Sequence, residues 1–203
     1  DKKHAAEFGS LLVQDRDGRI KPVNTLSSEV LRKIYRKDTY LGLNSDQVFL
    51  GILVNPGLWQ SFPMIKVSDS ELKALIGVSG KYASFSDFID AQRGNYKLSR
   101  FIDAAYNKKP AERSAFDKDV IKVDERVNIM FMVFNGDFMS MFPKPGDANN
   151  KWYTTENAAQ IFDSTDAGFV ENILPLYYSA VNEAMETGNW ETADEYLGFI
   201  ETF

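Results

Sequence analysis

The sequence contains no cysteine and only one histidine, His4. The absence of cysteine excludes disulfides, thiolate metal sites, a cysteine nucleophile and a Cys-x-x-Cys-His haem attachment motif within the chain. A single histidine excludes any metal site that needs a histidine pair. Because a lone histidine near a terminus is usually solvent-exposed, we expect His4 to be exposed and inert, with a haem or metal ligand as the alternative.

Long apolar runs are missing as well. The longest one, Ile129–Phe134, spans six residues, far below the roughly 18 residues of a membrane-spanning helix. The start of the chain lacks the apolar segment of a signal peptide. Because the chain begins at Asp1, we expect an excised piece of a larger protein. Phosphate loops, nucleophile elbows and His-Glu-x-x-His zinc motifs are also missing, and we therefore expect no enzyme activity.

Charge is distributed unevenly along the chain. The whole chain carries −6, but residues 1–146 carry +4 and residues 147–203 carry −10. One interpretation is that an acidic helical end packs beside a basic front end, and the other is an acidic surface presented to a basic partner. The net acidity and the lack of a second basic stripe argue against nucleic-acid binding.

The spacing of apolar residues predicts a mainly α fold, an irregular helical domain of roughly eight helices with a few short strands and a C-terminal helical hairpin. We expect a single domain over 1–203, with 1–24 as an N-terminal hairpin or arm and 166–203 as the helical hairpin. Beyond the helix treated below, the predicted helices are 45–54 (capped by Ser45-Asp46), 71–76, 84–92, 98–108, a long helix from Pro110 to about Phe134, 169–187 and 191–203.

Residues 16–37 hold seven basic side chains against two acids, Asp17 and Glu29, in a chain whose total charge is negative. Two segments with the pattern of strands, 11–14 and 20–23, lie on either side of a turn that contains Gly18. Extended segments on either side of a tight turn are typical of a β-hairpin, and we expect one here.

After the hairpin, apolar residues recur at three- and four-residue steps. This spacing predicts an amphipathic helix over 25–37. Asn24 or Thr25 is the expected cap, because short polar side chains accept hydrogen bonds from the free N–H groups of a first turn. The opposite face of the helix is basic and includes Arg32.

Two later stretches are interpreted as structural. Acids and bases interleave at helical spacing, which is typical of a solvated ion-pair face. The members are Asp117, Asp119, Asp124 and Glu125, with Lys118, Lys122 and Arg126. The methionine-rich and aromatic run 129–142 is interpreted as core, with the lining of a hydrophobic groove as the alternative.

Several runs of residues, taken together, point to a known family. They are His4-Ala5-x-x-Phe8-Gly9-x-Leu11-x-Val13-Gln14-Asp15, Gly18-Arg19-x-Lys21-Pro22-x-Asn24-Thr25, Leu31-Arg32-Lys33, Lys37-Asp38-Thr39-Tyr40, Gly42-Leu43-Asn44 and Phe142-Pro143-x-Pro145-Gly146-Asp147-x-Asn149-Asn150-Lys151-Trp152. With these runs the chain resembles cytochrome c biogenesis proteins of the CcsA/ResC type, and more narrowly the fused ResB/CcsA form. In that form an extracytoplasmic soluble region sits between membrane segments.

The resemblance implies a soluble extracytoplasmic domain on the periplasmic face of the inner membrane, within a parent membrane protein that delivers and attaches haem. It implies apocytochrome c or other cytochrome c biogenesis subunits as partners. Haem is the cofactor of the parent protein, and no cofactor is expected in this domain. The family's tryptophan-rich haem-handling loop is missing, because Trp59, Trp152 and Trp190 are isolated. The alternative is a purely structural insertion that braces the membrane helices and has no soluble ligand.

The residues expected to form a partner or groove site are Arg19, Lys21, Asn24, Thr25 and Arg32. In the functional interpretation, Arg19 and Lys21 lie exposed in a groove and receive a haem propionate or a partner carboxylate, because guanidinium pairs bidentately with carboxylate. In the architectural alternative, Arg19 ties the hairpin to the helical body. Either way, we expect Arg19 within reach of a carboxylate or of backbone carbonyls.

Overall fold

The computed structural model describes all 203 residues, of which 57% are helical. The ten α-helices are α1 (Lys2–Ser10), α2 (Val23–Ile34), α3 (Ser45–Val54), α4 (Pro56–Trp59), α5 (Ser70–Ile76), α6 (Ser99–Tyr106), α7 (Ala115–Phe134), α8 (Ala158–Ile161), α9 (Ser164–Thr187) and α10 (Glu191–Thr202). The predicted mainly α fold with a C-terminal helical hairpin, α9–α10, is confirmed. None of these helices combines the length and the apolar character that a bilayer crossing requires.

Eight short strands form four separate antiparallel pairs. They are β1 (Leu12–Gln14) with β2 (Ile20–Pro22), β3 (Thr39–Tyr40) with β4 (Leu43–Asn44), β5 (Ile65–Lys66) with β6 (Tyr82–Ala83), and β7 (Phe142–Pro143) with β8 (Trp152–Tyr153). In the first pair, Val13 lies opposite Lys21 and Gln14 lies opposite Ile20. The predicted N-terminal hairpin is therefore confirmed.

One hydrophobic core of 44 buried residues extends from α1 to α10. Helix α1 packs on α2 and α3, α2 packs on α3 and α7, and α3 also contacts α9. The close approach of α1 depends on Gly9, because a Cβ there would lie 3.0 Å from a carboxylate oxygen of Asp46. The division into an arm, 1–24, and a hairpin, 166–203, within one domain stays a prediction.

The predicted boundaries of α2 are wrong at both ends. The helix begins at Val23 after Pro22, whose φ of −65° suits a residue that leads into a helix, and no side chain caps it. Asn24 and Thr25 lie inside the first turn, so neither is the cap. The helix ends at Ile34 because Arg36 adopts a left-handed φ of +66°, which a helix cannot continue.

Three other predicted helices also differ from the structure, two of them in where they begin or how they are capped. Helix α3 is capped by Asn44 in a capping box rather than by Ser45-Asp46. Helix α7 begins after Ser114, and Pro110 lies in a separate 3-10 turn, Pro110–Glu112. The helix predicted over 84–92 is wrong, because only Ser86–Phe88 is helical there and as a 3-10 turn.

The charged stretch of α7 is only partly the solvated face predicted from its sequence, with Lys118, Lys122 and Glu125 exposed. Asp117, Asp124 and Arg126 are all buried. Both carboxylate oxygens of Asp117 accept from Lys108 at 2.8 Å, which with the Ser114 hydrogen bonds lowers its pKa to about 2. Burial raises the pKa of Asp124, which accepts from the Tyr96 hydroxyl. These groups join α7 to neighbouring elements, a role that helical spacing alone does not reveal.

Candidate functional site

An open groove of about 1060 Å³ lies beside the β1–β2 hairpin. We call it the hairpin groove. Its lining consists of Val13, Gln14, Asp15, Arg16, Asp17, Gly18, Arg19, Ile20, Lys21, Leu26, Glu29, Val30, Lys33, Ile129, Asp137, Phe138, Ser140, Asn149, Asn150, Lys151 and Trp152. Hairpin residues form one wall, α2 another, and the segments around β7 and β8 the third.

The turn of the hairpin is held by one carboxylate. Asp15 Oδ1 accepts hydrogen bonds from the backbone N–H groups of Asp17 and Arg19, each at 3.0 Å. The Arg19 backbone N–H is the main cause of the lowered pKa of Asp15, so this carboxyl stays ionised at neutral pH. Gly18 completes the turn with a φ of +79°, a conformation that glycine adopts without steric cost.

Arg19 and Lys21 both line the groove, but only Arg19 is exposed as the functional interpretation predicted. Arg19 is 73% exposed and pairs with Asp15 at 3.1 Å and Asp17 at 3.2 Å. The expected contact with a carboxylate is therefore confirmed. Because both partners belong to its own turn, Arg19 does not tie the hairpin to the helical body, and that alternative is wrong.

Lys21 makes the connection that Arg19 does not. Its Nζ lies 2.6 Å from Glu29 of α2 and 3.6 Å from Asp15, and the side chain is only 17% exposed. Glu29 itself is 58% exposed, so solvent screens this ion pair in part. Lys21 therefore links the hairpin to α2 along one side of the groove.

Two cations of the groove have no carboxylate partner. The guanidinium of Arg16 donates to the sulfur of Met132, and Lys151 lies over the ring of Tyr153, 5.0 Å from its centroid. Neither forms an ion pair with any acid of the chain. They lie beside the apolar side chains of Phe138 and Trp152. The groove thus offers free positive charge next to apolar surface, which suits a ligand that combines carboxylate and apolar groups.

The far wall of the groove is tied to the hairpin by Gln14. Its Oε1 accepts from the backbone N–H of Trp152 at 2.8 Å, and its Nε2 donates to the carbonyl of Asn150 at 3.0 Å. Asp147 organises the same loop by accepting from the backbone N–H of Lys151, the main cause of its lowered pKa. Sequence analysis missed Gln14 and Trp152 as site residues, although both lie in the runs that carry the family resemblance.

The other predicted groove residues lie elsewhere. Asn24, Thr25 and Arg32 are exposed on α2, and none of them lines the groove. Arg32 instead pairs with Asp38 beyond the end of the helix. Of the five predicted residues, only Arg19 and Lys21 therefore line the groove. The role of all five in binding a partner stays a prediction.

His4 is buried, so the expectation of an exposed, inert histidine is wrong. Its Nδ1 lies 2.6 Å from Asp194 of α10, and its Nε2 lies 2.9 Å from the hydroxyl of Tyr177 of α9. The ring also packs against Trp190, with centroids 4.7 Å apart. We call these four residues the His4 cluster. Its members lie more than 170 residues from His4 in sequence, so no local spacing signals it.

Comparisons with known proteins give one relative. The chain is 39% identical to Protein NrfI of Wolinella succinogenes over 177 residues, which is 87% of this chain. The chain spans only 20% of the length of that relative. No protein-family model matches the chain. The similarity therefore connects almost the whole domain described above with a limited part of a much longer protein.

Proposed function

We propose that this chain is an extracytoplasmic domain of a membrane protein of cytochrome c biogenesis, and that its hairpin groove docks apocytochrome c or a partner subunit. The observation that carries the proposal is the 39% identity to NrfI over 87% of the chain, which supports a link to cytochrome c maturation. The finer assignment, to the CcsA/ResC type and its fused ResB/CcsA form on the periplasmic face of the inner membrane, rests on the family resemblance.

The groove supports a docking role through its chemistry. Arg16 and Lys151 are unpaired cations beside apolar surface, whereas Arg19 and Lys21 are engaged by acids of the hairpin and α2. A partner carboxylate would bind the free pair without first breaking an existing ion pair. The chain carries out no catalytic step in this proposal, and haem is a cofactor of the parent protein rather than of this domain.

A second surface supports a basic partner. The segment 147–203 carries −10, and its acids lie mainly on the exposed faces of α9 and α10. Apocytochrome c with basic side chains around its haem attachment motif would be attracted to this surface at long range. The groove would then supply the short-range contacts, so the two surfaces would act in sequence on the same partner.

Peptide titration tests the proposal. A fluorescently labelled apocytochrome c peptide containing the Cys-x-x-Cys-His motif is titrated with the 203-residue chain at low salt and again at about 150 mM salt, where the Debye length is about 8 Å. We expect saturable binding that weakens with salt. A scrambled peptide of the same composition is the control. Absence of binding at low salt would contradict docking and favour the structural insertion that braces membrane helices.

Variants locate the binding surface. Combining Arg16→Gln with Lys151→Gln removes both unpaired cations, and we expect about tenfold weaker binding, which corresponds to about 1.4 kcal/mol. Arg32→Gln is the matched control, since Arg32 is an exposed arginine outside the groove. Equal affinities for the double variant and the control would place docking somewhere other than the hairpin groove.

A further inference from the structure

Three potential metal ligands meet where α1 contacts the C-terminal helical hairpin. One ring nitrogen of His4 and one carboxylate oxygen each from Glu7 and Asp194 all lie within 4.8 Å of one another. His4 and Glu7 lie three residues apart on α1, so they share one face of that helix. Asp194 reaches them from the first turn of α10. None of the three lines the hairpin groove.

The arrangement requires little movement to hold an ion. Zinc binds imidazole nitrogen and carboxylate oxygen at about 2.0–2.2 Å, so two tetrahedral ligand atoms stand about 3.4 Å apart. His4 Nδ1 and Asp194 Oδ1 are 2.6 Å apart, and the Asp194 side chain is 49% exposed and free to rotate outward. Glu7 is 45% exposed and is held only by a surface ion pair with Lys3. The carboxylates can therefore close on an ion from the solvent side.

The histidine is oriented in advance, as metal ligands usually are. Metal-binding histidines typically use their second ring nitrogen in a hydrogen bond that fixes the ring. Here His4 Nε2 lies 2.9 Å from the Tyr177 hydroxyl, and Trp190 packs against the ring. With an ion on Nδ1, the ring proton lies on Nε2 and is donated to the Tyr177 oxygen.

We infer that His4, Glu7 and Asp194 form a binding site for a divalent first-row transition-metal ion, with solvent completing the coordination. One imidazole and two carboxylates suit Zn²⁺ and its neighbours, whereas Mg²⁺ and Ca²⁺ favour oxygen ligands alone. The bound ion would join α1 to α10 and so stabilise the packing of the chain's first helix against its last. This inference is independent of the proposed function.

Zn²⁺ titration tests the site directly. Because His4 is the only histidine, its ring C–H signals in NMR report on it without assignment ambiguity. We expect these signals to shift saturably at one Zn²⁺ per chain and to stay unmoved with Mg²⁺. We also expect Tm to rise by about 5–10 °C when free Zn²⁺ is one hundred times Kd. Ring signals that do not move with Zn²⁺ would overturn the inference.

Two variants establish that the carboxylates bind the ion. Glu7→Gln and Asp194→Asn each remove one charged ligand at an exposed position, so the fold survives, and each should weaken Zn²⁺ binding at least about tenfold, as the loss of supporting groups does in known sites. Glu186→Gln, at an exposed position near the end of α9, is the matched control and should leave affinity unchanged. Wild-type affinity in both ligand variants would show an adventitious ion only.

Discussion

The His4 cluster and the hairpin groove use the same kinds of polar side chain in opposite ways. In the cluster, His4 meets groups 173 and 190 residues away, and its ring is 3% exposed. In the groove, the ion pairs of Arg19 and Lys21 join residues at most eight positions apart, and Arg19 is 73% exposed. We expect the buried cluster to contribute to stability, whereas the exposed groove is the proposed surface for recognition. Four predictions separate the two roles.

The largest effect is expected from His4→Ala. This change removes two hydrogen bonds, leaves a void beside Trp190 and deprives the buried Tyr177 hydroxyl of its partner. The free energy of unfolding should fall by about 2–4 kcal/mol, measured by urea denaturation. Lys2→Ala, an exposed change on the same helix, should cost little. Equal stability of the two variants would remove the distinction between cluster and groove.

A smaller effect is expected from Gln14→Ala, which opens the groove wall. The variant loses the hydrogen bonds to the backbone of Trp152 and Asn150 and should be destabilised by about 1 kcal/mol. Trp152 should become more accessible to acrylamide quenching, and peptide binding should weaken. Gln14→Glu keeps the oxygen acceptor and should retain part of the wall. An unchanged quenching constant in Gln14→Ala would mean that the loop is held by other contacts.

Acidification should loosen the turn of the hairpin beside the groove. The folded pKa of Asp15 lies below its ordinary value of 3.8, mainly because the Arg19 backbone N–H binds the carboxylate. The stabilisation is therefore complete above pH 3.8 and is lost as pH falls through the folded pKa. We expect the Arg19 amide signal in NMR to titrate in that acidic range in the wild type and to stay constant in Asp15→Asn. A carboxyl of Asp15 that titrates above 3.8 would contradict this.

The smallest stability effect is expected for the variant that removes both free cations. Arg16 and Lys151 form no ion pair, so Arg16→Gln combined with Lys151→Gln should change the free energy of unfolding by less than about 0.5 kcal/mol. Thermal unfolding checks this. A marked fall in Tm would mean that the two cations stabilise the fold. Weaker peptide binding by the double variant would then not identify the hairpin groove as the binding surface.

Sequence reasoning succeeded where the determinants are local. The hairpin follows from a turn between two extended segments, and α3 and α5 follow from apolar spacing that ends at Pro56 and Gly77. The contact between Arg19 and an acid also lay within one turn. These features need no knowledge of the rest of the chain, because hydrogen bonds between near neighbours define them.

Sequence reasoning failed where packing against other segments decides whether a residue is buried. His4 is buried only because α9 and α10 return to α1, and Asp117 is buried by the side chain of Lys108 and the packing of α6. Spacing alone made the first look like an exposed terminal residue and the second like part of a solvated face. The predicted cap of α2 was wrong for another reason, because Pro22 precedes the helix and no side chain accepts a hydrogen bond from its first turn.

The most direct test of the account measures cytochrome c maturation in cells. The full-length protein carries Arg16→Gln with Lys151→Gln, or Arg32→Gln as the control, and the yield of haem-containing cytochrome c is compared at equal levels of the protein. The account predicts a clear loss of holocytochrome for the double variant and a normal yield for the control. A normal yield for the double variant would contradict the role of the hairpin groove in maturation.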